Sequence, residues 1–302
     1  MSSSQALIVP FDPSAPSQAV AGVLPLQLWS LTPSGDKAPK AGTTATFYNT
    51  PAGKTTTISS VGDGFAAKAS EVKRELVRKS VGAAVKELKA FDGVKEVVVD
   101  AELDPHAAAG RRRSTRATPS PRKDKIAFAP VEASAEWDRG VVYAQSQNLA
   151  RTLAEYPANM ITPTAFTERV RREFEGIANV EIVVRDEAWA AEKGMNVFLS
   201  VTHGTSEPAK FLEIIYKGAA DKTAAPLAFV GKGITFDSGG ISLKPGAGMK
   251  LMRGDMGGAA AVVSAALAIA KLQLPINLVV TTPLTENMPG PSATKPGDMW
   301  TP

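Results

Sequence analysis

The sequence predicts an α/β fold with two parts: a small N-terminal α/β domain, and a second domain whose mixed, mostly parallel sheet is incomplete. Three observations support this prediction. Short apolar runs alternate with helical segments along the chain. The strand-like runs of the second half are almost continuously apolar, as in strands that are covered on both faces. One basic segment interrupts the pattern, so we expect domains at 1–108 and 132–302, joined by a flexible linker at 109–131.

The first domain contains three strand-like runs and one long helix. The strands are predicted at "QALIVPF", "TTATFYNT" and "VKEVVVD", which are apolar or rich in β-branched and aromatic residues. The segment "SEVKRELVRKSVGAAVKELKAF" lies between the second and third of these runs. It is predicted to be a helix whose apolar face consists of Val72, Leu76, Val81, Val85 and Leu88.

The second domain begins with two helices separated by "YPANMITP". Thr162 is suited to cap the second helix, with Pro163 at its first position. Four strands are then predicted, at "VEIVVRD", "NVFLSVTHG", "KFLEIIYKG" and "PLAFVGKG". The small-residue segment "MGGAAAVVSAALAIAKLQ" predicts a closely packed helix, and "INLVVTTPLTEN" predicts another buried strand.

Composition excludes several classes of protein. The chain has no cysteine, which excludes disulfides and thiolate metal sites. No window reaches the ~18 apolar residues of a membrane span, and the N-terminus lacks the positive charge of a secretory signal. We therefore expect a soluble, cytoplasmic protein.

The net charge of +4 comes from one segment. Residues 111–125 contain seven Lys or Arg and one Asp, a local charge of +6, which leaves −2 for the rest of the chain. Such a segment can contact the phosphates of nucleic acid. A solvated loop is the favoured interpretation, because no aromatic residue lies between the charges to stack on bases.

The glycine-rich stretch "GKGITFDSGGISLKPGAGMKLMRGDMGG" (231–258) is the main candidate for a site. It follows a predicted strand, where the ligand crevice of such sheets lies. It lacks the Walker and dinucleotide-binding patterns. Asp237 and Asp255 are oxygen donors suited to divalent ions. Lys232 would add a nitrogen donor if burial and nearby cations removed its proton, and Lys244 would remain charged and stabilise an oxyanion. Ordinary surface ion pairs are the alternative.

This stretch closely resembles the signature of the leucyl aminopeptidase (cytosol aminopeptidase) family, two-metal enzymes that remove N-terminal residues from peptides. Two further segments are similar to family patterns: "YPANMITPTAF", with Tyr156 in place of the family's first Asn, and "PLTENMPGPSATKPGD". The resemblance covers roughly 132–298, which marks 132–302 as a partial metallopeptidase catalytic domain. The first hundred residues match the family's N-terminal domain loosely.

The resemblance implies a role for each residue of the stretch. Lys232, Asp237 and Asp255 would hold two divalent ions, Zn²⁺ or Mn²⁺, with Asp237 bridging them. Lys244 would be the catalytic residue that binds the substrate carbonyl and the tetrahedral intermediate. Met252 would line the pocket for the substrate's first side chain, although a core methionine is equally expected. The family acts on peptides with a leucine-like preference and assembles as homohexamers.

The family's later N-T-D-A-E-G-R segment, which supplies further metal ligands and an arginine, has no counterpart in this sequence. We hypothesise a truncated or mis-spliced chain with impaired peptidase activity and some exposed apolar surface. Glu286 and Asp298 are expected to be structural or to support the ligands. Two alternatives remain open: a nucleic-acid-binding protein that uses residues 111–125, and a non-catalytic subunit that docks on a full-length homologue.

Overall fold

The structure, a computed structural model, describes residues 5–16, 18–35, 37–91, 93–110 and 126–301, without the side chains of residues 53 and 54. These residues form two compact units. The first contains the described residues up to 144, and the second contains residues 145–301. The predicted linker falls mostly on residues 111–125, which lie outside the described residues.

The first unit is built on a five-stranded sheet of order β2-β3-β1-β4-β5. All its pairings are parallel except β2 with β3. The strands are β1 (Gln5–Phe11), β2 (Thr44–Thr50), β3 (Gly53–Ser60), β4 (Glu96–Val99) and β5 (Ala127–Pro130). The helices are α1 (Pro25–Ser30), α2 (Ser70–Leu88), α3 (Pro105–Ala109) and the first part of α4 (Ala135–Glu155), with a 3₁₀ helix at Phe65–Ala67.

β1 forms the centre of this sheet because its side chains are apolar on both faces. Ala6 and Ile8 pack in the cluster beneath α2, while Leu7 and Val9 pack in the cluster beneath α1. The predicted strands at β1, β2 and β4 are confirmed. β5 pairs with β4, so residues 126–144 belong to the first unit, although we placed residues from 132 onward in the second domain.

The predicted apolar face of α2 is partly wrong. Val81, Val85 and Leu88 are buried, but Val72 is 46% exposed. At 3.6 residues per turn, Val72 lies on the side of the helix opposite to Val81. Val77, which we did not select, takes its place in the core.

The second unit contains a mixed sheet of order β6-β7-β10-β8, with β9 also paired to β10. β7 pairs antiparallel with β6 and β10, whereas β8 and β9 run parallel to β10. The strands are β6 (Val180–Arg185), β7 (Lys210–Lys217), β8 (Leu227–Val230), β9 (Gly233–Asp237) and β10 (Asn277–Asn287). The helices are α5 (Pro163–Phe174), α6 (Glu187–Glu192), α7 (Asn196–Thr202) and α8 (Gly257–Lys271), with 3₁₀ helices at Ala158–Met160 and Met249–Gly254.

The prediction of a strand at "NVFLSVTHG" is wrong, because this segment forms the helix α7. The hydroxyls of Ser200 and Thr202 donate to the carbonyls of Val197 and Leu199, three residues earlier. These bonds fit helical geometry. A short apolar run does not distinguish a strand from a helix by periodicity alone.

The start of α5 agrees with the prediction. The Thr162 hydroxyl accepts a hydrogen bond from the backbone N–H of Ala165 at 3.3 Å, and Pro163 occupies the first turn. The helix buries Phe166, Val170 and Phe174 in the main core of the second unit. A side-chain cap and a preset proline φ thus fix the point where the helix begins.

The expectation that no window could span a membrane is wrong by length and composition, because the segment Met249–Lys271, which contains α8, is long and apolar enough to do so. In the structure, Ala259, Val263 and Leu267 of this segment are fully buried in the core of the second unit. These contacts are typical of a core helix. β8 is less well covered, since Leu227 and Val230 are 51% and 74% exposed.

Helix α8 lies so close to the end of β8 that only a glycine fits between them. A Cβ atom at Gly231 would lie 2.6 Å from Cγ2 of Val262 and 2.7 Å from Cα of Ala259. Gly231 is therefore needed for close packing of the helix on the strand.

We expect Gly231→Ala to lower the free energy of unfolding by about 1–3 kcal/mol, because the added methyl group overpacks this contact. Gly246→Ala is the matched control in the same glycine-rich stretch, since a Cβ there meets nothing within 4 Å. The control should change stability by less than about 0.5 kcal/mol. Urea unfolding followed by circular dichroism measures both, and equal stabilities would contradict the packing argument.

Candidate metal centre

Lys232 lies in the short interruption between β8 and β9, two strands that both pair with β10. Val230 pairs with Thr281 and Gly233 with Leu284, so β8 and β9 share one register along β10. Between them, the Lys232 carbonyl accepts a hydrogen bond of 2.8 Å from the N–H of Ala259 in the first turn of α8. The interruption thus holds Lys232 between the sheet and the start of this helix.

A β-bulge near the end of β9 determines the direction of Asp237. Ile234 pairs with Thr285, but Phe236 pairs with Glu286, so Thr235 is the extra residue. Thr235 is fully buried, and its hydroxyl donates to the Thr285 carbonyl at 3.3 Å. Side chains alternate between the two faces of a strand, so one inserted residue reverses the side on which the following residues project. The bulge therefore places Asp237 opposite Asn287.

The carboxylate of Asp237 has a hydrogen-bond donor on each oxygen. Oδ1 accepts from the Gly239 N–H at 2.9 Å and from Nδ2 of Asn287 at 2.7 Å. Oδ2 accepts from Nζ of Lys244 in an ion pair. Burial raises the pKa of Asp237, but the hydrogen bonds from Lys244, Gly239 and Asn287 outweigh it and hold the pKa below its ordinary value.

A tight turn returns Lys244 to Asp237. The Lys244 N–H donates to the Ser238 carbonyl at 2.9 Å. Gly239 has a φ of +91°, and a Cβ there would lie 2.4 Å from the Ser242 carbonyl oxygen. Only glycine fits this conformation and this space. Nζ of Lys244 also lies 3.5 Å from Sδ of Met252, so the predicted catalytic lysine and the predicted pocket residue are in contact.

The second ion pair joins Lys232 to Asp255, the residue that follows the 3₁₀ helix Met249–Gly254. Nζ of Lys232 is 3.2 Å from Oδ2 of Asp255. The angles at this contact do not meet hydrogen-bond geometry, so Oδ2 is buried without a hydrogen-bond partner among the described groups. The side chain of Lys232 is 60% exposed. The burial that we expected around this amine is therefore wrong.

The 3₁₀ helix Met249–Gly254 connects the two pairs. Met252 contacts Lys244 through its sulfur and accepts a 3.4 Å hydrogen bond from the Asp255 N–H through its carbonyl. The Arg253 guanidinium anchors this helix to Glu155 at the end of α4, donating to its carboxylate at 2.7 Å and to its carbonyl at 3.2 Å. The structure thus brings the five predicted residues into two Lys–Asp pairs with Met252 between them.

Two features of Asp237, Asp255 and their lysine partners bear on whether these residues can bind divalent ions. Each aspartate is paired with a lysine ammonium, and the buried Oδ2 of Asp255 lacks a hydrogen-bond donor. The orphaned oxygen fits a cation site. In the described part of the chain, however, no cluster combines three or more His, Cys, Asp or Glu side chains. The residues therefore fit divalent ions only if Lys232 contributes its nitrogen.

Asn287, which holds the Asp237 carboxylate, is not among the site residues predicted from the sequence. A polar residue at the carboxyl end of a buried strand is a signal that would have identified it. Glu286 and Asp298, the two further carboxylates considered from the sequence, each accept a hydrogen bond from a nearby residue of the chain. Glu286 accepts a hydrogen bond from the Thr205 hydroxyl at 2.8 Å, and Asp298 accepts one from the Lys295 N–H at 2.9 Å.

A cleft of about 310 Å³ is lined by Gly239, Gly240 and Asn287 together with Ser200, Thr294 and Lys295. Asp237 itself is not among its lining residues. The cleft gives a ligand access to the loop that follows Asp237.

The basic segment at 111–125, which we considered for nucleic acid, lies outside the described residues.

The lowered pKa of Asp237 predicts a pH dependence in the presence of a chelator. The stabilisation from this group is present above the pKa of an unfolded aspartate and is lost as the pH falls through the folded-state pKa. Between about pH 7 and about pH 3, Asp237→Asn should therefore lose less unfolding free energy than the parent chain.

Asp100 provides a control of opposite sign, because burial raises its pKa. Protonation at low pH removes the free-energy cost of burying the charged Asp100 carboxylate. Asp100→Asn lacks this gain, so its unfolding free energy should fall more on acidification than that of the parent chain. Urea midpoints at several pH values measure these slopes. Identical slopes for Asp237→Asn and the parent would show that the hydrogen bonds to Asp237 do not stabilise its charged form.

Comparisons with known proteins assign each half of the chain. The family described as "Cytosol aminopeptidase family, catalytic domain" matches residues 148–302. The "Cytosol aminopeptidase family, N-terminal domain" matches residues 9–117. The resemblance drawn from the motifs is confirmed, and the glycine-rich stretch with both Lys–Asp pairs lies inside the catalytic-domain match.

Individual relatives agree with this assignment. A cytosol aminopeptidase of Xenopus tropicalis is 52% identical over 182 residues, which are 59% of this chain and 35% of that protein. A probable cytosol aminopeptidase of Pseudomonas paraeruginosa is 37% identical over 293 residues, which are 88% of this chain and 58% of that protein. The solved structure "Bottromycin maturation enzyme BotP in complex with Mn" has a TM-score of 0.74 and 25% identity, over 97% of this chain and 62% of that chain.

The chain thus spans between 35% and 62% of the length of these proteins. The mixed α/β fold agrees with the structural relative. Because the catalytic-domain match covers more than half of its residues, the chain belongs to the cytosol aminopeptidase family.

Proposed function

We propose that the chain carries the site of a metal-dependent aminopeptidase, which releases N-terminal residues from peptides with a leucine-like preference. The observation that supports this most directly is the pair of Lys–Asp contacts, Lys232 with Asp255 and Lys244 with Asp237, inside the catalytic-domain match. The names of the relatives support the reaction class, and we extend their cytosolic location to this chain.

Lys232, Asp237 and Asp255 would hold the ions, which we propose to be two Mn²⁺ or Zn²⁺. When bound, such ions activate a water molecule and anchor the substrate's amino group. The structure of BotP in complex with Mn supports a divalent ion in a related fold. Oxygen donors and an amine nitrogen are ligands that both Zn²⁺ and Mn²⁺ accept.

Lys232 must lose a proton from Nζ before it can ligate, because an ammonium has no free lone pair. Its 60% exposed side chain places this atom in direct reach of solvent, which can accept the proton. Asp255 holds the amine in place meanwhile, at 3.2 Å. Loss of this proton would therefore have to be driven by the incoming ions, whose positive charge disfavours a neighbouring ammonium.

Lys244 would act as the catalytic residue that binds the substrate carbonyl oxygen. Without ions its Nζ donates to Asp237, and an ion bound at that carboxylate would release the ammonium, with its three donor positions, for the substrate. An ammonium beside a carbonyl stabilises the negative charge that develops when the carbonyl is attacked. Met252, which contacts the same ammonium, would line the pocket for the substrate's first side chain.

The number of donors predicts weak binding by these 302 residues. Two divalent ions in a shared site require about eight donors or more, and this site supplies the side chains of three residues. We therefore propose that these 302 residues bind metal weakly and have impaired peptidase activity.

Hydrolysis of leucine p-nitroanilide by the 302-residue polypeptide tests this proposal. With Mn²⁺ or Zn²⁺ we expect turnover well below the roughly 10 s⁻¹ typical of enzymes. The activity should disappear with chelator, with N-acetylated substrate and in Asp255→Ala. Asp221→Ala is a control on an exposed loop, and its activity should equal that of the parent.

Two results would count against the proposal in different ways. Ordinary aminopeptidase turnover would show that the donors present are sufficient and that the chain is not impaired. Turnover that persists with chelator, or with the blocked substrate, would exclude a metalloaminopeptidase.

A further inference from the structure

We propose that Asn287 is a positioning residue that restricts Asp237 to metal coordination through Oδ2 alone. This inference rests on the proposed function, and it assigns to Asn287 a task that the motif did not indicate. The residue lies at the last position of β10, opposite Asp237 on β9. Its Nδ2 donates to Oδ1 of Asp237 at 2.7 Å.

Asn287 is itself held firmly in this position. Its backbone carbonyl accepts from the N–H of Ser238 at 2.9 Å and from the Ser238 hydroxyl at 2.7 Å. Its side-chain oxygen packs against Gly240, where an added Cβ would lie at 2.7 Å. An amide with this many contacts can fix the orientation of a neighbouring carboxylate, as second-layer groups do around metal ligands.

The two oxygens of Asp237 differ in what they can still accept. Oδ1 receives two N–H donors, from Gly239 and Asn287, which occupy both of its lone pairs. Among the described groups, Oδ2 receives a hydrogen bond from Lys244 alone, whose ammonium a cation would have to displace. A cation that approaches Asp237 therefore finds one available oxygen.

Coordination through a single oxygen selects among cations. Mn²⁺ takes carboxylate oxygens in octahedral geometry, whereas Ca²⁺ takes carboxylates through one or both oxygens and tolerates variable geometry. Removing the Asn287 amide frees a lone pair on Oδ1 and loosens the carboxylate. The expected consequence is a loss of Mn²⁺ affinity that is not matched by a loss of Ca²⁺ affinity.

The test measures the dissociation constants of Mn²⁺ and Ca²⁺ by calorimetry on the 302-residue polypeptide. Asn287→Ala should weaken Mn²⁺ binding by about 10–100-fold and Ca²⁺ binding by less than about threefold. Asn287→Leu preserves most of the side-chain volume and should behave in the same way. An equal loss of both affinities, or no loss of either, would overturn the positioning role.

Asn277→Ala is the matched control, because Asn277 lies at the other end of β10 and donates to the carbonyls of Asp221 and Ala224 at 2.9 and 3.0 Å. Like Asn287→Ala, this variant loses a side-chain amide and the hydrogen bonds that the amide donates. The ratio of the Mn²⁺ and Ca²⁺ affinities should remain that of the parent. A change in this ratio equal to that of Asn287→Ala would also overturn the proposal.

A double-mutant cycle separates this inference from the proposed function. In the presence of a chelator, Asp237→Ala and Asn287→Ala should together lower the urea midpoint by less than the sum of their separate effects, because they remove one contact. If neither ion binds the parent chain, the proposed metal site fails. The claim about coordination then fails with it, whereas additive effects in a chain that does bind the ions overturn the positioning role alone.

Discussion

The pairing of β9 with β10 determines where the groups of the candidate site lie. The strand pair begins at the interruption that holds Lys232 and ends at Asp237 and Asn287. The one-residue bulge between these ends places Asp237 and Asn287 opposite each other. Without the bulge, Asp237 would project from the other side of the strand, away from the amide and the lysine that now hold it.

Electrostatics explains why two lysines lie beside two aspartates in a stretch with few other side chains. In the absence of divalent ions, each carboxylate needs a positive partner to offset its partial burial. Lys244 provides one with a hydrogen bond, whereas Lys232 approaches Asp255 without one. The two pairs thus differ: the first is satisfied within the chain, and the second leaves a buried oxygen that a cation would satisfy better.

Much of the architecture could be predicted from sequence because its signals are local. The apolar run of β1, the Thr162 cap with Pro163, and the small residues of α8 each specify an element through neighbouring residues. The helix α7 was missed because its short apolar run fits either periodicity. Val72 was predicted to share a face with Val81, but the helical turn places it on the opposite, exposed side of α2.

The candidate site was predictable in its residues but not in its arrangement. The motif indicated Lys232, Asp237, Lys244, Met252 and Asp255, while the division into two ion pairs depends on the turn at Gly239 and on the 3₁₀ helix. The role of Asn287 depends on the bulge at Thr235 in another strand, which no local pattern encodes. The exposure of Lys232 likewise follows from tertiary packing.

We infer that divalent cations bind where Lys232 and Lys244 now contact Asp255 and Asp237. Crystals of the polypeptide soaked in Zn²⁺ and measured at the zinc absorption edge would show this. An anomalous peak is expected at about 2.0–2.2 Å from Nζ of Lys232 and an oxygen of Asp255, with Lys244 displaced from Asp237 wherever a second peak lies beside Oδ2. Zinc bound only at other surface carboxylates, with both ion pairs intact, would contradict it.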